Sequence, residues 1–195
     1  MAPRPFFSVL HDLLDSAPQV SLETLLAAAG QRTYGLLILV LSLPSLLPGL
    51  NLGLAPVGGA AVTAIGMQMA WGAERPWVPA RLLRIPLHKG GIKDGLARIE
   101  RLLVRFAALE SLPMPVNPRW TGMLVAWMGL LLALPVPLPF GNILPAAVLC
   151  LLGAAILEER SAWAWAALAG AVGNTIYFLG SANIVLMALR RLWGI

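Results

Sequence analysis

The chain has 195 residues, of which 58% are hydrophobic and only 12% charged, with a mean hydropathy of +0.79. A soluble domain carries about 25% charged residues, so this composition excludes an ordinary water-facing surface and points to a lipid-facing one. The net charge of +5 is concentrated in one stretch with no RNA- or DNA-binding module, which argues for lipid headgroups or an anionic solute rather than nucleic acid.

In chain order, the first eighteen residues do not read as a cleaved signal, because His11, Asp12 and Asp15 interrupt the apolar run. They read as an interfacial amphipathic helix that buries Phe6, Phe7, Leu10, Leu13 and Leu14. Ser21 is a candidate cap for a helix over Leu22–Ala29, with Gly30 as its stop. After the polar hinge Gln31–Thr33, an apolar tract runs Gly35–Leu47, breaks at Pro48–Asn51 and resumes from Leu52 to about Gly72. Residues 74–119 hold nine of the fourteen basic residues. Within them, Gly91–Leu112 has helical amphipathic spacing, with Lys93, Arg98, Arg101 and Arg105 opposite the apolar side. This segment either lies on anionic headgroups or is a solvated connector. A second tract covers Trp120–Leu134, breaks across Pro135–Asn142 and resumes over Ile143–Leu157; a last tract, Ala162–Leu189, ends at Arg190–Arg191.

Spanning about 30 Å of hydrocarbon takes about 20 apolar residues in a helix. Leu52–Gly72 and Ala162–Leu189 meet that length, whereas Gly35–Leu47 and Ile143–Leu157 fall short and read as re-entrant or discontinuous half-helices. The expected class is therefore an all-α, polytopic helical membrane protein. The excess of Lys and Arg places 74–119, and by Arg190–Arg191 the C-terminus, on the cytoplasmic side. The single cysteine, Cys150, lies within an apolar run and has no partner in the chain for a disulfide.

The two broken tracts repeat one another. Leu43-Pro44-x-x-Leu47-Pro48-x-x-Asn51 matches Leu134-Pro135-x-x-Leu138-Pro139-x-x-Asn142 position for position. Downstream of each come a further proline (Pro56, Pro145), a glycine-containing apolar helix, a Glu-Arg pair (Glu74–Arg75, Glu159–Arg160) and a tryptophan (Trp77, Trp163). The expected organisation is one membrane domain, with repeat 1 over 22–77, a basic linker over 78–119, repeat 2 over 120–163 and a final tract over 164–189. Each proline lacks an N–H and clashes with the preceding turn, so the breaks free carbonyl groups that hydrocarbon cannot satisfy. Asn51 and Asn142 carry both donors and an acceptor. They can close those freed groups or help hold a ligand.

Several of these segments resemble a known family. Leu43–Asn51, Gly66-Met67-Gln68, Gly72–Pro79 (GAERPWVP), Pro137–Pro145 (PLPFGNILP) and Leu157–Arg160 are similar to the exopolysaccharide synthesis ExoD family of bacterial membrane proteins. The likeness extends from about Leu22 to Leu189. Its most specific parts are the PLPFGN-x-LP element and the spacing of Gln68, Gly72, Pro76 and Trp77. The resemblance implies a bacterial inner-membrane location and a link to exopolysaccharide production. It supplies no catalytic residues.

Catalytic signals are weak. His11 and His88 are far apart, no Cys/His set has metal-ligand spacing, and neither a phosphate loop nor a Gly-x-Ser-x-Gly elbow is present. The chain offers no catalytic constellation, which leans against an enzyme without deciding it, and no metal or cofactor is expected. The candidate ligand-binding residues are Asn51, Asn142, Gln68 and Ser45, with Asn174, Thr175, Ser181 and Asn183 as further neutral polar groups in the last tract. Glu74–Arg75 and Glu159–Arg160 are candidate gating pairs or, more plainly, interfacial anchors. The leading expectation is a transporter- or channel-like protein for an ion or small anionic solute, with the breaks meeting near the bilayer midplane and a homodimer completing the assembly. A non-transporting accessory or scaffold subunit of a polysaccharide assembly is the alternative. An enzyme acting on a lipid-linked sugar is the weakest of the three.

Overall fold

The computed structural model describes residues 20–21, 26, 32–46, 51–78, 86–87, 117–134 and 141–193, with backbone alone at 51–54 and 182–193. The amphipathic N-terminal helix, the basic helix over 91–112, Pro48, Pro135, Pro139, His11, His88 and the side chains of Asn51 and Asn183 lie outside the described residues. Five helices carry the fold among the described residues. They are α1 (Thr33–Ser42, continued by a 3-10 turn at Leu43–Leu46), α2 (Asn51–Ala70), α3 (Pro118–Ala133), α4 (Ile143–Glu158) and α5 (Ser161–Trp193). A two-residue antiparallel ladder pairs Val20 with Leu87 and Ser21 with Pro86.

The helix boundaries follow local chemistry. Asn117 caps α3 by accepting from the Arg119 amide at 3.1 Å, with Pro118 pre-set for the first turn. Pro44 falls where α1 tightens into its 3-10 turn, and Pro145 sits in the first turn of α4, where a missing N–H costs little. Pro56 is inside α2 without ending it. At the far end of α2, Gly72 adopts φ +82°, and the amides of Gly72 and Ala73 close onto the carbonyls of Met69 and Gln68. That glycine-terminated closure satisfies the carbonyls left open by the last turn.

Small residues decide how the helices meet. Gly59, Thr63, Gly66 and Ala70 on α2 face Gly122, Ala126, Gly129 and Ala133 on α3, and both sets step by four, three and four residues. The numbers rise on one helix as they fall on the other, so the pair is antiparallel. A methyl group built on Gly59, Gly66 or Gly122 would lie 2.4 Å from a backbone nitrogen of the facing helix. Thr63 turns its hydroxyl back onto the Gly59 carbonyl at 2.8 Å and so leaves no polar group in the contact. Backbones this close gain dispersion along their whole length, and small residues are what permit the approach.

A second antiparallel pair joins α1 to α4. A methyl group on Gly35 or on Gly153 would come within 2.8 Å of the other residue's carbonyl oxygen, and the Ser42 hydroxyl meets the Cys150 thiol farther along. Within the first hairpin, Gly58 lies against the Leu41 carbonyl, and the Tyr34 hydroxyl donates to the Ala73 carbonyl at 2.9 Å. These contacts put the starts of α1 and α3 and the ends of α2 and α4 at one end of the bundle, here called the base. Both helix breaks lie at the opposite end. Leu36, Leu37, Ile38 and Leu39 are each 0% exposed, so α1 is enclosed on every side, and α4 is buried along most of its length.

The outer helices invert the usual arrangement of polarity. On α5 the exposed positions between 164 and 180 are Leu168, Ala169, Val172, Gly173, Ile176, Leu179 and Gly180, while Asn174 is buried. On α3, beyond its first turn, the exposed residues are Met123, Trp127, Leu130 and Leu134; on α2, between 55 and 71, they are Val57, Ala60, Ala64, Met67 and Trp71. None of these is charged, and their only side-chain polar groups are the indole N–H groups of Trp71 and Trp127. Ser161–Ser181 of α5 is the one stretch among the described residues long and apolar enough by itself to cross a membrane, while Thr33–Leu46 and Ile143–Glu158 are apolar but shorter.

Substitution at the helix contacts tests this packing directly. Gly66→Ala forces a methyl group into the α3 backbone and is expected to destabilise by about 2 kcal/mol or more. Gly173→Ala meets nothing within 4 Å and gains up to about 1 kcal/mol of helix propensity. Thermal unfolding of the purified chain reads both; equal midpoints for the two variants contradict the close α2–α3 approach.

Candidate functional site

The break end gathers the residues singled out for the two interrupted tracts. Asn51 opens α2 and Asn142 is the N-cap of α4, so two helix N-termini with their exposed amide dipoles face the same end of the bundle. Asn142 is half-buried, and its side chain makes no capping bond; only its backbone carbonyl enters the helix, accepting from Ala146 at 3.2 Å. Ser45 lies in the 3-10 turn, 4% exposed, and that turn packs against α4 as well as α2. The structure therefore brings Ser45, Asn142 and the start of α2 to one end, although they are far apart in sequence. It does not bring Gln68 there.

Gln68 belongs to the base. Its side-chain carbonyl accepts from the Trp77 amide at 2.6 Å, and its NH2 group donates to the Trp77 carbonyl at 3.3 Å. Both halves of the amide are spent folding the segment after Gly72 back along α2. The spacing of Gln68, Gly72, Pro76 and Trp77 thus encodes a helix stop followed by a tie, and no ligand is needed to account for it. Glu74 and Arg75 lie in the exposed bend between these two anchors.

The second Glu-Arg pair is arranged differently from its expected form. Glu159 binds Arg32 across 127 positions of sequence, with Nη2 3.0 Å from its carboxylate, and the same guanidinium donates to the Leu157 carbonyl at 2.7 Å. Arg32 therefore caps the C-terminus of α4, where a cation meets both the open carbonyls and the negative end of the helix dipole. Arg160 instead stands 5.3 Å over the Trp163 ring. Glu159 holds φ 54°, the one non-glycine residue with positive φ among the described residues. It occupies the left-handed position that Gly72 fills after α2, at the cost that a side chain imposes there.

The base is also where aromatic and basic residues collect. Trp71, Trp77 and Trp120 are 80%, 73% and 67% exposed, and Arg32, Arg75, Arg119 and Arg160 lie at the same end. Trp163 is at this level but buried. In the bundle interior, Asn174 of α5 is 4% exposed and donates to the Met128 sulfur at 3.5 Å, and its carbonyl oxygen has no partner. Trp127 donates from its indole to the Thr175 hydroxyl at 3.0 Å, which joins α3 to α5 near the same height. Sequence reading left Arg32 as part of a hinge; the available signal was a lone arginine just before a wholly apolar helix, where a charge needs a carbonyl-rich partner. Among the described residues no group of His, Cys, Asp and Glu has the makings of a metal site.

Comparison with known proteins places the sequence beside one family. A family model described as "Exopolysaccharide synthesis, ExoD" matches residues 6–180. Protein ExoD of Rhizobium meliloti is 29% identical over 170 residues, covering 82% of this chain and 69% of that protein. An uncharacterized protein of Synechocystis is 26% identical over 151 residues, covering 74% of this chain and 70% of the relative. No solved structure matches.

Two substitutions check the base. Arg32→Ala removes both the ion pair and the bond to Leu157, and an expected loss of about 1–2 kcal/mol comes mostly from the orphaned carbonyl. Glu159→Gly relieves about 1 kcal/mol of left-handed strain while losing a largely exposed pair worth no more than that. Its melting temperature should match or exceed the parent's. A large drop would show that the ion pair, and not the helix stop, dominates.

Proposed function

We propose that this chain, which belongs to the exopolysaccharide synthesis ExoD family, is a multi-pass protein of the bacterial inner membrane that passes a small anion or ion through a site at its two helix breaks. The observation carrying this reading is the convergence of two asparagine-led helix N-termini at one end of the bundle, with the Asn142 amide free of capping duty. Backbone N–H groups and helix dipoles pointing at one region favour a negative charge there. Broken helices in hydrocarbon persist where protein or trapped water shelters the freed backbone.

The membrane reading is supported by the almost wholly apolar outer faces of α2, α3 and α5 and by buried Asn174, a distribution that suits lipid and not water. Duplication is supported by the cross-pairing of helices: the first helix of each broken tract lies antiparallel to the second helix of the other. With both breaks at one end, the repeats run in the same direction rather than inverted. The base, with its four arginines and both ends of the basic linker, belongs at the cytoplasmic headgroups. Since α5 leaves the base and continues unbroken to Trp193, the C-terminus then lies on the far side, in place of the cytoplasmic position expected from Arg190 and Arg191. The breaks also move. The sixteen residues of α3 rise about 24 Å, past the midplane of a hydrocarbon layer of about 30 Å, so the site belongs to the outer half of the membrane.

Proteoliposomes holding the full chain test the reading through efflux of chloride and of inorganic phosphate. Flux of either is expected, reduced several-fold by Asn142→Ala and further by Asn142→Asp, which sets a negative charge against the helix dipoles. Absence of any flux, together with unchanged exopolysaccharide output in cells carrying Asn51→Ala and Asn142→Ala, rules transport out. The second reading, an accessory subunit of a polysaccharide assembly, is favoured by the close α2–α3 seam, which suits a rigid support more than a moving gate. Purification with one fixed membrane partner and no flux would establish it.

A further inference from the structure

The outside of the bundle carries a groove that the breaks do not explain. It runs between α3 and α5, which lie side by side and parallel, with Leu152 of α4 in its floor. Two clefts of about 340 Å³ and 220 Å³ share Leu124 and Leu168 and extend the groove from Trp120 and Ala164 near the base to Ile176. From Ala164 to Ile176 the helix rise amounts to about 18 Å, close to the depth of one leaflet, which is about 15 Å of hydrocarbon. The lining is almost wholly apolar, with the Thr175 hydroxyl already committed to the Ala171 carbonyl and to the Trp127 indole.

The two ends of the groove differ in charge. At the base, exposed Arg119 follows the Asn117 cap of α3, and the N-termini of both α3 and α5 are there, with Glu158 and Glu159 just before α5, so the positive charge of that mouth lies on the α3 side, at Arg119. Trp120, 67% exposed, stands at the same mouth, the level at which an indole bridges hydrocarbon and headgroups. A second copy of the chain is a poorer occupant, because a parallel neighbour in the same membrane would bring its own Arg119 and α3 N-terminus against these. A single molecule with a tail one leaflet long and a negative head fits both the length and the polarity.

We propose that this groove is a binding site for one anionic phospholipid of the inner leaflet, its acyl chain along Leu124 and Leu168 and its phosphate at Arg119. The proposal rests on the membrane reading above and adds a specific ligand to a face that reading leaves bare. The site orders a lipid beside α5 and thereby seals the seam between α3 and α5 where the side chains do not meet.

The test uses the full chain reconstituted in vesicles of phosphatidylglycerol and phosphatidylcholine in equal parts, extracted in mild detergent and weighed by native mass spectrometry. One phosphatidylglycerol per chain should be retained in preference to phosphatidylcholine. Leu168→Trp fills the groove and should lose it; Met123→Trp, at the exposed rim on the other helix, should do the same if the first variant does not fold. Arg119→Gln should keep a bound lipid but lose the preference for phosphatidylglycerol. Retention unchanged in both tryptophan variants, or headgroup preference unchanged in Arg119→Gln, overturns the proposal, as does a shift from dimer to monomer in Leu168→Trp, which would make a second copy the occupant. Washing the vesicles with alkaline carbonate separates the two levels of failure. A chain that stays inserted yet holds no lipid sinks this inference alone, and a chain that washes off sinks the membrane reading with it.

Discussion

Two backbones in contact, with almost nothing between them, set the geometry of this molecule. Gly59, Gly66, Gly122 and Gly129 let α2 and α3 approach until a single methyl group would collide with a main-chain nitrogen or carbonyl. Once those helices are fixed, the positions of α1 and α4 follow, because each is tied by a short connection to one member of the seam, and Gly35 with Gly153 repeats the device between them. On the membrane reading proposed above, apolar side chains gain nothing by leaving apolar lipid, so shape must supply what exclusion from water supplies elsewhere. The small residues are the means, and the hydroxyls of Ser42, Thr63, Thr121 and Thr175 each return to a carbonyl four residues earlier, which keeps the close surfaces free of unmet donors.

That seam also explains why the two ends of the bundle differ. At the base, the chain closes its helices with tight stops, one on Gly72 and one on Glu159, and fastens them with Gln68, Tyr34 and Arg32. Every one of these side chains spends its polarity on a neighbouring main chain. At the other end the helices begin rather than end, and the Asn142 side chain makes no capping bond.

Much of this was legible from residue order, and particular positions show where legibility stopped. The periodic prolines located both breaks, and helices resume at Asn51 and Ile143, within one residue of where the apolar tracts resume. Composition and the spaced motifs led to the family that residues 6–180 match. Long-range pairings were not readable: nothing near Arg32 announces Leu157 or Glu159, and the pairing of neighbouring Glu159 and Arg160 looked more natural than it is, because a left-handed turn points the two side chains to different partners. Gln68 was read as a ligand candidate since a lone amide near an apolar helix has no visible partner until the chain turns back at Gly72. The four-three-four stripes were present in sequence as well, but glycine and alanine are common in apolar helices, and only the facing stripe on α3 gives the first one meaning.

The length of the last helix has its own consequence. Its 33 residues extend about 50 Å, whereas hydrocarbon and headgroups together measure about 40–45 Å. On the membrane reading proposed above, a helix of that length starting at one surface reaches past the opposite one by roughly a turn. On that reading its last turn stands beyond the far headgroups as a short helical post.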